Sequence, residues 1–236
     1  MYVVRGEARS IAADREVAGK LLKLTTATGC TVVRVWFPHR QVSFGPRDVR
    51  HERYDEAVSV AREHGFAPSE RSVGGHAVAY TGSTVAFARC LPISDPRKGL
   101  TDRYDETLKL LVSALEGLGI AVEHGEPPDS FCPGDHSLSA AGKIVGVAQR
   151  VTASAAIVSG IVIVDEAGDI ATVLEAVYER LGVAFDPTSV GSIVDAGGPD
   201  DAAIVIEAIE RTLVDGGVYS VVGMDELDQL IASTTS

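Results

Sequence analysis

The chain has 236 residues, 45% of them hydrophobic, and a formal net charge of −12. That length supports one substantial core and is read as a single domain over residues 1–236. The acidity leaves no basic field to collect phosphate backbones or anionic bilayers, so neither nucleic acid nor a membrane is expected as a partner. The opening stretch MYVVRGEARSIAADRE turns charged within a few residues, unlike a secretory signal. The longest weakly polar run, Val151 to Val164, is shorter than the roughly 20 residues of a bilayer span. A cytoplasmic location is expected. The scarcity of lysine beside plentiful Asp and Glu resembles a halophile-like protein from a high-salt cytoplasm.

In chain order, Asp14 to Thr26 spaces Val17, Leu21, Leu22 and Leu24 as an amphipathic helix. CTVVRVWFP alternates as a half-buried strand stopped by Pro38, and a helix fits Tyr54 to Glu63 after the GPRD turn. Arg71 to Tyr80 and Ser83 to Arg89 read as two strands joined by Thr81-Gly82 into an antiparallel hairpin. Thr101 to Leu118 is helical, with Leu108, Leu111, Val112 and Leu115 on one face and Gly119 as its stop. A Pro-rich loop, EPPDSFCPGD, precedes strands at Leu138 to Ser139, Ile144 to Val151 and Ala155 to Asp165. Helices then fit Ile170 to Leu181, about Asp200 to Val214, and Met224 to Ile231. Helices interspersed with hairpin-like strand pairs predict an α+β fold: a mixed, largely antiparallel sheet flanked by helices.

Three cysteines, Cys30, Cys90 and Cys132, are far apart and show no metal or disulfide spacing, so no metal is expected. Cys30 and Cys90 border apolar strands and read as packed thiols. Cys132 is followed by Pro133 and Gly134, which marks a loop where backbone can approach a ligand. Eleven positions on, Lys143 lies between Gly142 and Gly146. Its bland reading is an exposed hairpin tip, but the apolar strand that follows makes a buried lysine with a purpose the sharper one. A thiol can hold an acyl group as a thioester, and an ammonium can polarise a carbonyl, so the pair suits covalent acyl transfer. Upstream, Arg71 stands before Gly74 and Gly75, where amide N–H groups and a cation can meet an anion or acyl chain. His76 and His136 could act as bases or simply be packed or solvated.

These residues carry a resemblance to the lipoate and octanoate protein ligases and octanoyltransferases, whose fold is shared with the biotin protein ligases. ERSVGGHAVAYTGS is similar to their RRxSGGGxVxHD motif, and FCPGDHSLSAAGKIVGVAQR resembles the CPGxxxLSxxGKKxAGxxQR stretch of the cysteine-dependent lipoyl-domain octanoyltransferases. The resemblance implies a biotin/lipoate protein ligase-like catalytic domain; the separate carboxy-terminal domain of the ligases is not expected, since only two short helical stretches follow Leu181. It implies Cys132 as nucleophile, Lys143 as the group contacting the acyl carbonyl, and Arg71, Gly74, Gly75, His76 and Gly146 as substrate-binding residues. Two departures stand out: only two glycines precede His76, and Ser159 and Gly160 occupy the place of a His-Gly pair in the ligases. The implied substrates are octanoate or lipoate, in a tunnel expected along Val73, Val78, Phe87, Val145 and Val147. The implied partners are lipoyl-domain proteins such as the glycine cleavage H protein and 2-oxoacid dehydrogenase E2. No cofactor is needed for transfer; a ligase would use ATP and Mg. A noncatalytic acyl-carrier-binding protein is the third reading.

Overall fold

The structure is a computed structural model that describes residues 1–72 and 74–234. In chain order the strands are β1 (Tyr2–Arg5), β2 (Val32–Trp36), β3 (Gln41–Phe44), β4 (Ala67–Glu70), β5 (Val78–Tyr80), β6 (Thr84–Pro92), β7 (Glu123–His124), β8 (Ser137–Ser139), β9 (Lys143–Val151), β10 (Ala155–Ile163) and β11 (Ser220–Gly223). The helices are α1 (Ile11–Thr28), α2 (Tyr54–Glu63), α3 (Leu100–Gly117), α4 (Ala167–Leu181), α5 (Ala202–Val214) and α6 (Leu227–Thr234). An eight-stranded sheet runs β11-β1-β2-β6-β10-β9-β8-β7, and a three-stranded sheet runs β4-β3-β5. In the large sheet β1 pairs in parallel with β11 and β2, and the other neighbours are antiparallel. The architecture is mixed α and β around a mostly antiparallel sheet, as expected.

The local signals explain the long elements. α1 begins where the Ser10 hydroxyl accepts the Ala13 N–H at 3.2 Å and stops at Gly29, which takes the left-handed conformation. Its buried face carries Val17, Leu21, Leu22 and Leu24. β9 and β10 form the expected hairpin, with Val151 opposite Ala156.

Period-two alternation gives the large sheet two faces. Val33, Val85, Val145 and Val162 point into a core under α3 and α5. On the opposite face, Ile157 and Ala88 meet α1 at one end, while Ile161 and Ile163 meet α2, α4 and the small sheet at the other. Between α1 and the small sheet, none of the described residues forms a layer over the large sheet, and a cavity of about 810 Å³ opens there.

Two sequence expectations are corrected. Arg71 to Tyr80 is not one strand: β4 ends at Glu70, a loop follows, and β5 begins at Val78. Nor does β5 pair with β6 across Thr81-Gly82. β5 pairs with β3 in the small sheet, and β6 pairs with β2 and β10 in the large one. The turn is real but passes the chain between sheets. Its Thr81 N–H is taken by Thr84 Oγ1 at 3.1 Å and Thr84 Oγ1 returns a bond to the Thr81 carbonyl at 2.9 Å, so local bonds replace a hairpin ladder. Among the described residues, no helix is long and apolar enough to cross a membrane.

Candidate active site

The floor of the cavity is made mostly of small residues in register, with Ile161 the exception. Ala88, Ser159 and Ala148 form one row across β6, β10 and β9, and Ala86, Ile161 and Gly146 form the next. All six border the cavity. Gly160, between the two rows, is obligatory: a Cβ there would stand 2.2 Å from the Gly146 carbonyl oxygen and 2.7 Å from the Phe87 ring. Of the expected tunnel residues, Val78, Phe87 and Val147 border the cavity. Val145 does not; it is fully buried in the α3–α5 core. Val73 lies outside the described residues.

At one end stands the loop carrying Cys132. Its backbone is left-handed at φ 40°, a conformation that a non-glycine residue holds only when its surroundings fix it. Two bonds do so. The Cys132 N–H donates to Tyr178 Oη at 2.6 Å, and its carbonyl accepts from Lys143 Nζ at 3.2 Å. Tyr178 Oη donates onward to the Ala77 carbonyl at 3.0 Å, so α4 ties the Cys132 loop to the glycine loop. Burial raises the Tyr178 phenol well above its ordinary value, keeping it a neutral donor.

Lys143 is 1% exposed, not a hairpin tip. Its ammonium donates to Glu126 Oε2 at 2.6 Å, to the Phe131 carbonyl at 2.9 Å and to the Cys132 carbonyl. Those are all three of its donors. Glu126 is itself held by Ser137 Oγ at 2.7 Å and the Gly134 N–H at 2.9 Å, so one carboxylate braces both ends of the loop against the lysine.

Arg71 supplies the second cation. Its Nη2 lies 3.4 Å from Cys132 Sγ, and its guanidinium also binds the carbonyls of Ser43 and His76. A Cβ on Gly75 would be 3.6 Å from the same sulfur. One on Gly45 would strike the Gly75 carbonyl oxygen at 1.8 Å, so bare backbones cross here. Cys132, Lys143, Arg71, Gly74, Gly75 and Gly146 therefore all border one cavity. His76 does not; its Nδ1 is bound to buried Asp48 at 2.7 Å, and its backbone carbonyl serves Arg71. His136 stacks on Tyr104 with centroids 3.8 Å apart. Cys90 is fully buried, and that burial pushes its thiol up. Among the described residues, no group of three or more His, Cys, Asp or Glu could hold a metal ion.

Sequence reasoning missed Tyr178, Glu126 and the Arg34–Asp14 pair, whose atoms are 2.7 Å apart at the cavity wall. Only Arg34 carried a signal, as a lone charge in the apolar run VVRVW.

The residues 15–214 match the model of the lipoyl protein ligase A/B catalytic domain. The chain belongs to this family. A curated relative, the octanoyl-[GcvH]:protein N-octanoyltransferase of Geobacillus kaustophilus, is 32% identical over 54% of this chain and 47% of its own length. The lipoyl-[GcvH]:protein N-lipoyltransferase of Listeria monocytogenes is 26% identical over 51% of this chain and 44% of its own. The chain thus spans about half the length of the curated relatives it matches. Among solved structures, a lipoate-protein ligase A bound with ATP superposes with a TM-score of 0.75 at 15% identity, covering 98% of this chain and 92% of that one. The fold is that of the lipoate-protein ligases.

Proposed function

We propose that this lipoyl protein ligase A/B family member is an acyltransferase that moves an octanoyl or lipoyl group onto a lysine of a lipoyl-domain protein through a thioester on Cys132. The observation that carries the reading is the Cys132 loop: a nucleophile at the end of a small-floored cavity, facing one cation at its sulfur and a second beneath its carbonyl. The relatives' names, with transfer from [GcvH] to protein, support the same chemistry.

In the first step the Cys132 sulfur attacks the acyl carbonyl of the donor. A C–S bond forms, the donor's C–N bond breaks, and the departing amine takes up the proton that the thiol gives up. Lys143, anchored on Glu126 and the Phe131 carbonyl, turns its longest and weakest bond, the one to the Cys132 carbonyl, toward the developing oxyanion. Arg71 faces the sulfur with a fixed positive charge, complementing the thiolate both as it attacks and as it leaves. In the second step an acceptor lysine amine attacks the thioester: a C–N bond forms, the C–S bond breaks, and the proton that the amine gives up passes to the departing sulfur, returning the Cys132 thiol. The acyl chain lies along Gly146, Ala148 and Ser159, with Gly74 and Gly75 at its carbonyl end.

We further propose that residues 1–236 act as one catalytic domain in the cytoplasm, that the glycine cleavage H protein or 2-oxoacid dehydrogenase E2 lipoyl domains serve as donor and acceptor, and that transfer needs no cofactor. The test is acyl transfer from an octanoylated carrier to an acceptor lipoyl domain without ATP or Mg. Transfer lost in Cys132→Ser supports the reading. Modification only with free acid and ATP, surviving in Cys132→Ser, identifies an ATP-dependent ligase and overturns it. A protein that neither forms a thioester nor releases pyrophosphate with any donor supports the acyl-carrier-binding reading and overturns the transferase.

A further inference from the structure

On the sheet face that packs under α3, the antiparallel register sets Arg89, Val158 and Gln149 side by side on β6, β10 and β9. α3 lies across this row. Arg103 donates from Nε to Gln149 Oε1 at 2.7 Å and from Nη1 to the Lys98 carbonyl at 2.8 Å. One helical turn on, Glu106 accepts from Arg89 Nη2 at 2.8 Å. Arg89 and Arg103 are 7% and 8% exposed, and Thr107, one turn beyond Arg103, is 0% exposed. Four buried polar atoms of these three side chains have no partner among the described residues: Arg89 Nε and Nη1, Arg103 Nη2 and Thr107 Oγ1.

The charges do not balance either. Glu106 is more than half exposed and is paired with Arg89, which holds its carboxyl below the usual range. Among the described residues, the Arg103 guanidinium has only neutral oxygens as hydrogen-bond partners and joins no ion pair. A buried guanidinium without a counter-charge is costly. Water could satisfy the spare N–H groups, but it cannot neutralise the charge. An anion does both.

We propose that a small inorganic anion of chloride size binds between Arg89 and Arg103, against Val158 and Thr107, as the counter-ion of α3. The burial of both guanidinium groups and of Thr107 selects the ion: a guest here must shed its hydration shell, which a halide does at far less cost than sulfate or phosphate. The site fastens α3 to β6 and β9 from within. Tyr104, adjacent to Arg103, stacks on His136 of the Cys132 loop, so the anion sits under the helix that abuts the catalytic segment.

The test uses the intact protein. Thermal unfolding is followed in sodium chloride against sodium gluconate at constant ionic strength, in the wild type and in Arg103→Met, and bromide-exchanged wild-type crystals are measured at the bromine absorption edge. The expected results are a bromide peak touching both arginines and a chloride-specific rise in the midpoint of about 3 to 6 °C at tenfold excess over Kd, absent in Arg103→Met. Should Arg103→Met fail to fold, the wild-type series and the crystal decide. Equal midpoints in chloride and gluconate, or no bromide at the arginines, overturns the proposal. A peak without a chloride-specific rise means an adventitious ion only and also overturns it.

Discussion

Replacing Lys143 by methionine removes a buried cation while keeping the length and apolar body of the stem. Its ammonium bridges Glu126 and two loop carbonyls, so the substitution leaves a carboxylate that is only 15% exposed without its counter-charge. Breaking a buried pair from one side costs about 3–5 kcal/mol. Glu126 retains the Ser137 hydroxyl and the Gly134 N–H, which places the expected loss near the lower end, about 3 kcal/mol. For a chain of this size that corresponds to a fall in Tm of about 6–12 °C. Glu126→Gln in the Lys143→Met background removes the stranded charge, and the double variant should recover about half of the loss. Calorimetry on the four members of the cycle, with acyl transfer read in parallel, tests this. A Lys143→Met protein that melts with the wild type, or strictly additive single effects, would refute the view that Lys143 organises the Cys132 loop.

Three further outcomes follow from the same geometry. Alkylation by iodoacetamide at pH 8 should modify Cys132 and leave Cys90 untouched, since Cys90 is fully buried and its thiol is pushed up by that burial; peptide mass mapping reads the sites. Tyr178→Phe strands the Cys132 N–H and the Ala77 carbonyl, costing about 1–3 kcal/mol, and should slow formation of the acyl-enzyme more than it lowers stability in single-turnover measurements. Ala148→Leu fills the floor beside Ser159 and should reduce transfer of an octanoyl group about 10-fold or more while sparing a butanoyl donor, measured as a ratio of kcat/KM values.

How legible the molecule was from its sequence depended on the range of the interaction involved. α1, α3 and the β9–β10 hairpin are written in local periodicity and caps, and they form where that periodicity runs. β1 and β11 were missed because each is four residues long, and their parallel pairing joins Tyr2 to Ser220 across the whole chain. The Thr81-Gly82 turn misled for a related reason: a turn signal fixes where the chain bends, not which sheet receives it. In the site, Cys132, Lys143 and Arg71 could be singled out by residue type and flanking glycines. Their supports could not. Tyr178 reaches Cys132 across 46 positions and Asp48 reaches His76 across 28, contacts that only the packing of α4 and the small sheet creates. Glu126 sat within the Pro-rich loop in plain view, but nothing local distinguished it from the many other carboxylates of an acidic chain.

The central claim is that the acyl group rests on Cys132. Incubation with an octanoylated carrier in the absence of ATP, followed by intact-protein mass spectrometry, should reveal one octanoyl adduct that hydroxylamine removes and that Cys132→Ser does not form. An active protein that carries no adduct, or one whose adduct persists in Cys132→Ser, would contradict it.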